Sequence, residues 1–341
     1  MTPATRPRSG AEKRLLHVDP GAGRFRDARL AELPSLLRRD DLLVVNDAAT
    51  LPASLASAAP GGAPVEVRLL GEATPGRWRA VLFGEGDWRT RTEDRPPPPF
   101  LKPGDALRLD GLQATLLAVS SLSPRLVDLR FDAQGAALWS ALYRLGRPVQ
   151  YAHLEEGLEL SDVQTAYASR PWAAELPSAG RPLSWELLLA SRRRGIALAA
   201  ITHAAGLSST GEPGLDRALP LPERYDIPEA TVSAVEKARA AGGRVVAVGT
   251  SVVRSLESSA ARNGGSLAAG QDTAGLVVSP GFVPQVVDGL LTGFHEPGSS
   301  HLGLLRAFVA PPLLDTAYAH AEAAGYRGHE FGDSSLILAA A

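Results

Sequence analysis

Arg244-Val-Val-Ala-Val-Gly-Thr-Ser-Val-Val-Arg254-Ser-Leu-Glu257 is the stretch that decides the fold. The unbroken apolar run Val245–Val248 reads as a buried strand, of the kind found in parallel sheets covered on both faces. Gly249-Thr250 then turns the chain into a helix. Backbone N–H groups at such a helix start can hold an anion such as a carboxylate. A tight turn that only needs glycine is the other reading. Arg254 and Glu257, one turn in and beyond, bring the two readings level. Downstream come Ser279-Pro-Gly-Phe282, Val287-Asp-Gly-Leu-Leu-Thr-Gly-Phe-His-Glu-Pro297 and Glu330-Phe-Gly-Asp-Ser-Ser-Leu-Ile337. These loops are expected to gather Asp288, Thr292, His295 and Asp333 at the ends of strands, where α/β folds build small-molecule sites.

The same texture extends upstream as far as Tyr143. Ser184 is a good N-cap for a helix over 184–194, and Gly195–His203 follows as a buried strand. A helix over 228–241 closes on Gly242-Gly243. Further helices are expected over 302–309 and 311–324. Near the N-terminus, Leu15–Val18 is a short strand. A helix over 31–38 feeds the strand Asp41–Asn46, which ends in a turn at Asn46-Asp47.

Between these α/β parts the pattern changes. Val65–Leu70, Trp78–Phe83, Ala106–Leu109, Leu112–Leu117 and Leu126–Phe131 are short strands between Gly-, Pro- and Asp-rich turns. That spacing predicts a small β-barrel or sandwich, with Arg95-Pro-Pro-Pro-Pro-Phe100 as a loop within it. The expected architecture is a mixed α/β main domain, residues 1–57 and 133–341, carrying an inserted all-β barrel-like domain over 58–132.

The 341 residues suffice for two such units. Apolar residues make up 45% and charged residues 21%, as in an ordinary globular protein. The net charge of −2 provides no global basic field for a nucleic acid. Only Lys13, Lys102 and Lys237 are lysines among 35 basic residues, and the arginines are spread along the whole chain. No cysteine is present, which excludes disulfides, thiolate nucleophiles and Cys-ligated zinc or iron–sulfur clusters. With no apolar signal core and no run long enough for a membrane span, a soluble, cytoplasmic protein is expected. No His-x-x-x-His or Asp-rich metal loop occurs, so no metal is expected. A dinucleotide fingerprint, a P-loop and a Gly-x-Ser-x-Gly elbow are also missing.

His295, in a loop bounded by Gly and Pro, is the first candidate for acid–base work, against a loop-holding role. His203, at the end of a buried strand, could be a site residue or a capping histidine at the sheet edge. His301 reads as a helix-face residue, and His17, His153, His320 and His329 as surface or core residues.

The ordered motifs resemble one family, the S-adenosylmethionine:tRNA ribosyltransferase-isomerases of queuosine biosynthesis. The likeness begins with Arg14-Leu-Leu, Phe25, Leu33-Pro, Asp41–Asp47 and Pro52-Ala53, and continues through Val65-Glu-Val and Leu101–Asp105. Gln164-Thr-Ala-Tyr-Ala168 and Pro177-Ser-Ala-Gly180 match its central motifs. It is densest from Val248–Glu257 through Pro280-Gly-Phe282, Val287-Asp288, Thr292, Phe294-His295 and Pro297 to Tyr326-Arg327 and Gly332-Asp333. The resemblance implies transfer and isomerisation of the ribosyl group of S-adenosylmethionine onto 7-aminomethyl-7-deazaguanine in tRNA. Adenine and methionine leave, and no metal takes part.

That chemistry needs a base for the C5′ hydrogens acidified by the sulfonium. His295 comes first, His203 second and Tyr167 third. Asn46, Asp47, Asp288 or Asp333 could hold ribose hydroxyls. Arg254 with Gly249-Thr250 could hold the methionine carboxylate. By motif match, Gln164, Ser178, Ala179, Gly180, Glu223, Thr292 and Phe294 join the substrate-binding set.

The sequence also departs from the family pattern. Asn-Asp-Thr-Arg becomes Asn46-Asp-Ala-Ala49, and Thr-Ala-Gly-Leu-His-Phe-Thr becomes Ser178-Ala-Gly-Arg-Pro-Leu-Ser184. His-Val-Gly-x-Gly-Thr-Phe becomes His203-Ala-Ala-Gly-Leu-Ser-Ser209, and Met-His-x-Glu keeps only Glu223. Thr-Asn-Phe-His-Leu-Pro becomes Thr292-Gly-Phe-His-Glu-Pro297. Three readings follow. One is the family's tRNA enzyme. The second is a divergent relative that cleaves or rearranges S-adenosylmethionine without tRNA. The third is a non-catalytic nucleoside-binding module. The oligomeric state is left open.

Overall fold

A computed structural model describes residues 1–339. Its centre is a nine-stranded sheet. In spatial order the strands are Gly270–Ala274, Glu223–Ile227, Ala197–His203, Leu42–Asn46, Val245–Val248, Gly289–Gly293, Ser334–Ile337, Arg14–Asp19 and Arg24–Arg29. Four neighbours, Ala197–His203 through Gly289–Gly293, are parallel, with Ala197 opposite Leu42, Val245 opposite Leu42 and Val246 opposite Gly289. Their apolar runs are buried on alternate faces. Leu42, Val44, Val245 and Ala247 meet the helices Glu229–Ala240, Thr250–Arg262 and Pro311–Ala323. Leu43, Val45, Val246 and Val248 meet the helix Trp185–Arg193 and the short helix Leu33–Leu36.

Because the four strands run the same way, Asn46, His203, Gly249 and Gly293 end at one edge of the sheet. Ser334–Ile337 runs antiparallel to its neighbour, with Ser334 opposite Gly293, so Asp333 arrives at that edge as well. The inserted domain is a closed antiparallel barrel of Leu126–Phe131, Arg77–Phe83, Pro64–Thr74, Ser54–Ala58, Ala106–Leu109 and Leu112–Val119. Its strand Ser54–Ala58 lies ahead of the expected boundary at residue 58. A two-stranded pairing of Ala49–Thr50 with Pro171–Ala173 carries the chain between sheet and barrel.

The helix expected over 31–38 is short, a 3-10 turn Leu30–Glu32 followed by Leu33–Leu36. Ser184 does cap the next helix, its hydroxyl accepting from Leu187 N at 3.3 Å. Arg24–Arg29 and Gly270–Ala274 carry no apolar pattern. They are edge strands held by backbone pairing to one neighbour each, which needs no buried side chains.

Candidate active site

Asn46 is buried, and both ends of its amide are used within the sheet edge. Oδ1 accepts from His203 N at 2.9 Å and Ala48 N at 3.0 Å, while Nδ2 donates to the His203 carbonyl at 3.0 Å. Asn46 therefore locks two strand ends together. Asp47, next in the chain, is half-buried and accepts from Thr202 Oγ1 at 2.5 Å.

Gly249 takes φ +94°, a left-handed backbone that a side chain would strain. It starts the helix Thr250–Arg262, whose first amides open on the edge. A Cβ there would sit 3.4 Å from the Ala179 methyl, so the segment Ser178–Gly180 lies directly against this helix start. At Gly180 a Cβ would come within 2.1 Å of the Tyr167 hydroxyl. That hydroxyl is buried and has no hydrogen-bond partner among the described residues. Burial, and then the Asp47 charge, push its phenol far up. Tyr167 is therefore a protonated donor at neutral pH and a poor proton acceptor.

Across the helix start lies a pair of imidazoles. Thr250 Oγ1 bonds His301 Nδ1 at 2.9 Å, the His301 ring stacks on His295, and His295 Nε2 bonds Thr292 Oγ1 at 2.8 Å. Burial, with the charges of His301 and His329 behind it, holds His295 well below the ordinary histidine pKa. Burial lowers His301 too. His295 is thus neutral at pH 7, in the form a general base requires. His301 does lie in a helix, Ser300–Leu305, but its ring faces the site. Its side-chain direction follows from how that short helix docks, which spacing alone does not reveal.

His203 is arranged differently. It is fully buried, with Nδ1 on Ser255 Oγ at 2.7 Å and Nε2 on Glu223 Oε2 at 2.9 Å. With both nitrogens engaged, it holds Glu223 and has no free atom for a substrate proton. Arg254 is spent in the same way, on Glu223 Oε2, the Ala274 carbonyl at 3.0 Å and the Leu221 carbonyl at 3.4 Å. Burial raises the Glu223 carboxyl. The donors His203, Arg254 and Gly206 N outweigh it and bring the carboxyl down to about 2. Arg254 ties the helix Thr250–Arg262 to the sheet margin and is not free to hold a substrate carboxylate.

Other expected residues serve the scaffold. Gln164 clamps Thr50 through both amide ends, at 2.9 and 3.0 Å. Phe294 is core, edge-to-face with Tyr318 and Tyr326. Asp333 reaches the right edge, but it accepts from Arg14 N, Arg327 N and Arg8 and so fastens the N-terminal arm. Asp288 sits at the opposite end of the sheet, where it precedes the strand Gly289–Gly293 and accepts from Val245 N at 2.8 Å. The parallel register puts it a full strand length from His295.

A cavity of about 240 Å³ opens between the barrel and the main domain. Leu70, Glu72 and Arg79 line it on the barrel side, and Leu221, Glu223 and Arg224 on the other. Single-chain patterns could not show it, because it exists only where the two units meet.

A neutral histidine linked to a helix N-terminus at the ends of parallel strands is where α/β enzymes build small-molecule sites. The family model described as "Queuosine biosynthesis protein" matches residues 2–337, and the chain belongs to that family. It is 37% identical to an S-adenosylmethionine:tRNA ribosyltransferase-isomerase of Thermus thermophilus over 93% of this chain and 90% of that one. A protein of the same name from Synechococcus is 38% identical over 95% of this chain and 89% of the other. The crystal structure of an S-adenosylmethionine tRNA ribosyltransferase from Thermotoga maritima superposes with a TM-score of 0.53 at 26% identity, covering 98% and 96% of the two chains.

Proposed function

We propose that the chain transfers and isomerises the ribosyl group of S-adenosylmethionine onto 7-aminomethyl-7-deazaguanine in tRNA, releasing adenine and methionine. The observation that carries this reading is the neutral His295 joined through the stacked His301 to Thr250 at the helix start, in a chain that matches ribosyltransferase-isomerases along nearly its whole length. In this account the first amides of the helix Thr250–Arg262 bind the methionine carboxylate. With Nε2–H donating to Thr292 Oγ1, His295 Nδ1 takes the C5′ proton. The unpartnered Tyr167 hydroxyl donates to a substrate oxygen or ring nitrogen, and Asp47 holds a ribose hydroxyl.

The cavity beside Glu223 is the proposed place of the acceptor base. Arg224 and Arg170 lie 4.0 and 4.6 Å from the Trp172 ring; Arg170 is paired with Asp226 at 2.6 Å, and Arg224 lines the cavity as a local positive charge. Among the described residues no helix is long and apolar enough to cross a membrane.

A gel shift with the deazaguanine-bearing tRNA across a salt series tests the acceptor. Affinity should fall steeply with salt, and Arg224→Ala should reduce the salt slope by about one. Binding that ignores salt, or no binding, would favour an enzyme acting on S-adenosylmethionine without tRNA.

A further inference from the structure

We propose that His153, His329 and Glu330 form a binding site for a divalent transition-metal cation of the zinc type, beside His295. Two imidazoles and a carboxylate are a donor set that suits such ions and leaves coordination positions open. The three ligand atoms all lie within 4.8 Å of one another. His153 Nε2 is 3.0 Å from Glu330 Oε2, and the His153 and His329 rings are 4.4 Å apart, tilted by 39°. Bonds of about 2.1 Å in a tetrahedral site set ligand atoms roughly 3.4 Å apart. Small side-chain rotations bring the three groups to that spacing, with the cation replacing the proton shared by His153 and Glu330.

The surroundings favour this arrangement. Tyr151 lies nearly parallel to the His153 ring, at 6.4 Å and 11°, which limits its rotation. His329 takes φ +65°, a left-handed conformation uncommon for a residue with a side chain. Such strained backbone persists where the surrounding structure imposes it, and it clusters at functional sites. Glu330 borders a small, mostly apolar cavity whose wall includes Leu154, Leu158, Val163 and Phe331 together with Tyr151 and Glu175. Glu296 Oε1 is 3.1 Å from His329 Nε2 on an exposed side chain. Glu296 is also one of the departures from the family pattern, standing where that pattern has Leu. Neither the spacing of residues 153 and 329 nor any local motif could have shown the cluster, because the fold brings together segments far apart in the chain.

A cation here would act on the neighbouring site by charge alone. A divalent ion held on His329 and Glu330 would add positive charge beside the loop Phe294–Pro297.

The test is binding, independent of turnover. Chelator-treated protein is titrated with Zn²⁺ by calorimetry, and with Co²⁺ while the visible absorption of tetrahedral cobalt is followed. The expected result is one saturable site per chain, weakened at least about tenfold in His153→Ala and in Glu330→Gln. Glu330→Gln is nearly isosteric and can still bond His153, so its circular dichroism should match the parent and keep the test valid if His153→Ala misfolds. His295→Ala should bind zinc like the parent. No saturable binding, binding indifferent to Glu330→Gln, or binding lost in His295→Ala would overturn the site.

Discussion

His301 stacks on His295 with ring centroids 5.0 Å apart and 19° between the planes. Two stacked imidazoles in a half-buried setting resist double protonation, since the like charges repel and neither is fully solvated. The stack also joins the two halves of the site, because His301 bonds Thr250 at the helix start while His295 bonds Thr292. The group proposed to take the proton and the amides proposed to hold the substrate are thus positioned by one contact.

The first consequence concerns pH. His295 must be neutral to act, and its pKa lies well below the ordinary value of 6.5. Activity should therefore persist as pH falls through 6.5 and drop only below it. His301→Phe keeps a stacked ring and removes the like charge, so the acid limb of kcat/KM should move to higher pH. His295→Ala should lower kcat by about 10²–10⁴ with the fold intact, the usual worth of a general base. An unchanged acid limb in His301→Phe would separate the two rings functionally.

Glu223 gives a stability prediction. Its carboxyl falls from 4.5 unfolded to about 2 folded. The ionised form is favoured by the fold, so the stabilisation is fully present above about pH 4.5 and is lost as pH falls towards 2. The shift corresponds to on the order of 3 kcal/mol. Urea unfolding of the parent should show this slope between pH 5 and 2, and Glu223→Gln should lack it. The same variant leaves Arg254 buried without its carboxylate, which costs on the order of 3–5 kcal/mol at neutral pH.

Lys13 should act in the opposite sense. It is 3% exposed, and burial, then the charges of Arg181 and Arg8, bring its ammonium down to about 7. Between pH 7 and 10.5 the unfolded chain holds the extra proton, so stability rises with pH across that window. Below pH 7 the penalty is complete. Lys13→Met should stabilise the protein at pH 7 by roughly 2–4 kcal/mol and flatten the alkaline slope. A destabilised Lys13→Met in thermal unfolding would mean that the ammonium has a favourable partner.

Gly180 and Tyr167 form a testable couple. A methyl at Gly180 meets the Tyr167 hydroxyl at 2.1 Å, so Gly180→Ala should cost about 1–3 kcal/mol by overpacking and displace that hydroxyl. In a Tyr167→Phe background the same substitution should cost less. A double-mutant cycle reads this coupling in both stability and KM for S-adenosylmethionine. Additive effects would show that the two residues do not share this contact.

Much of the scaffold is written in local pattern. Val245–Val248 and Leu42–Asn46 are legible because both faces are buried, and the barrel strands because short apolar runs alternate with turns. Arg24–Arg29 is not, since an edge strand stabilised by backbone pairing leaves its charged side chains in water. The site is legible where it depends on strand ends. Asn46, His203, Gly249 and His295 all fall at one edge, as expected of a parallel sheet. Side-chain commitments are hidden. Arg254 turns to Glu223, Asp288 serves the far edge, and His301 faces inward, each because of a partner fixed only by tertiary packing.

Whether tRNA is the acceptor is decided by incubating the purified protein with S-adenosylmethionine alone and then with tRNA carrying 7-aminomethyl-7-deazaguanine, following adenine and methionine by mass spectrometry. Release of both is expected only when the tRNA is present, and should be lost in His295→Ala. Release without tRNA, or none with it, would rule out a tRNA ribosyltransferase-isomerase.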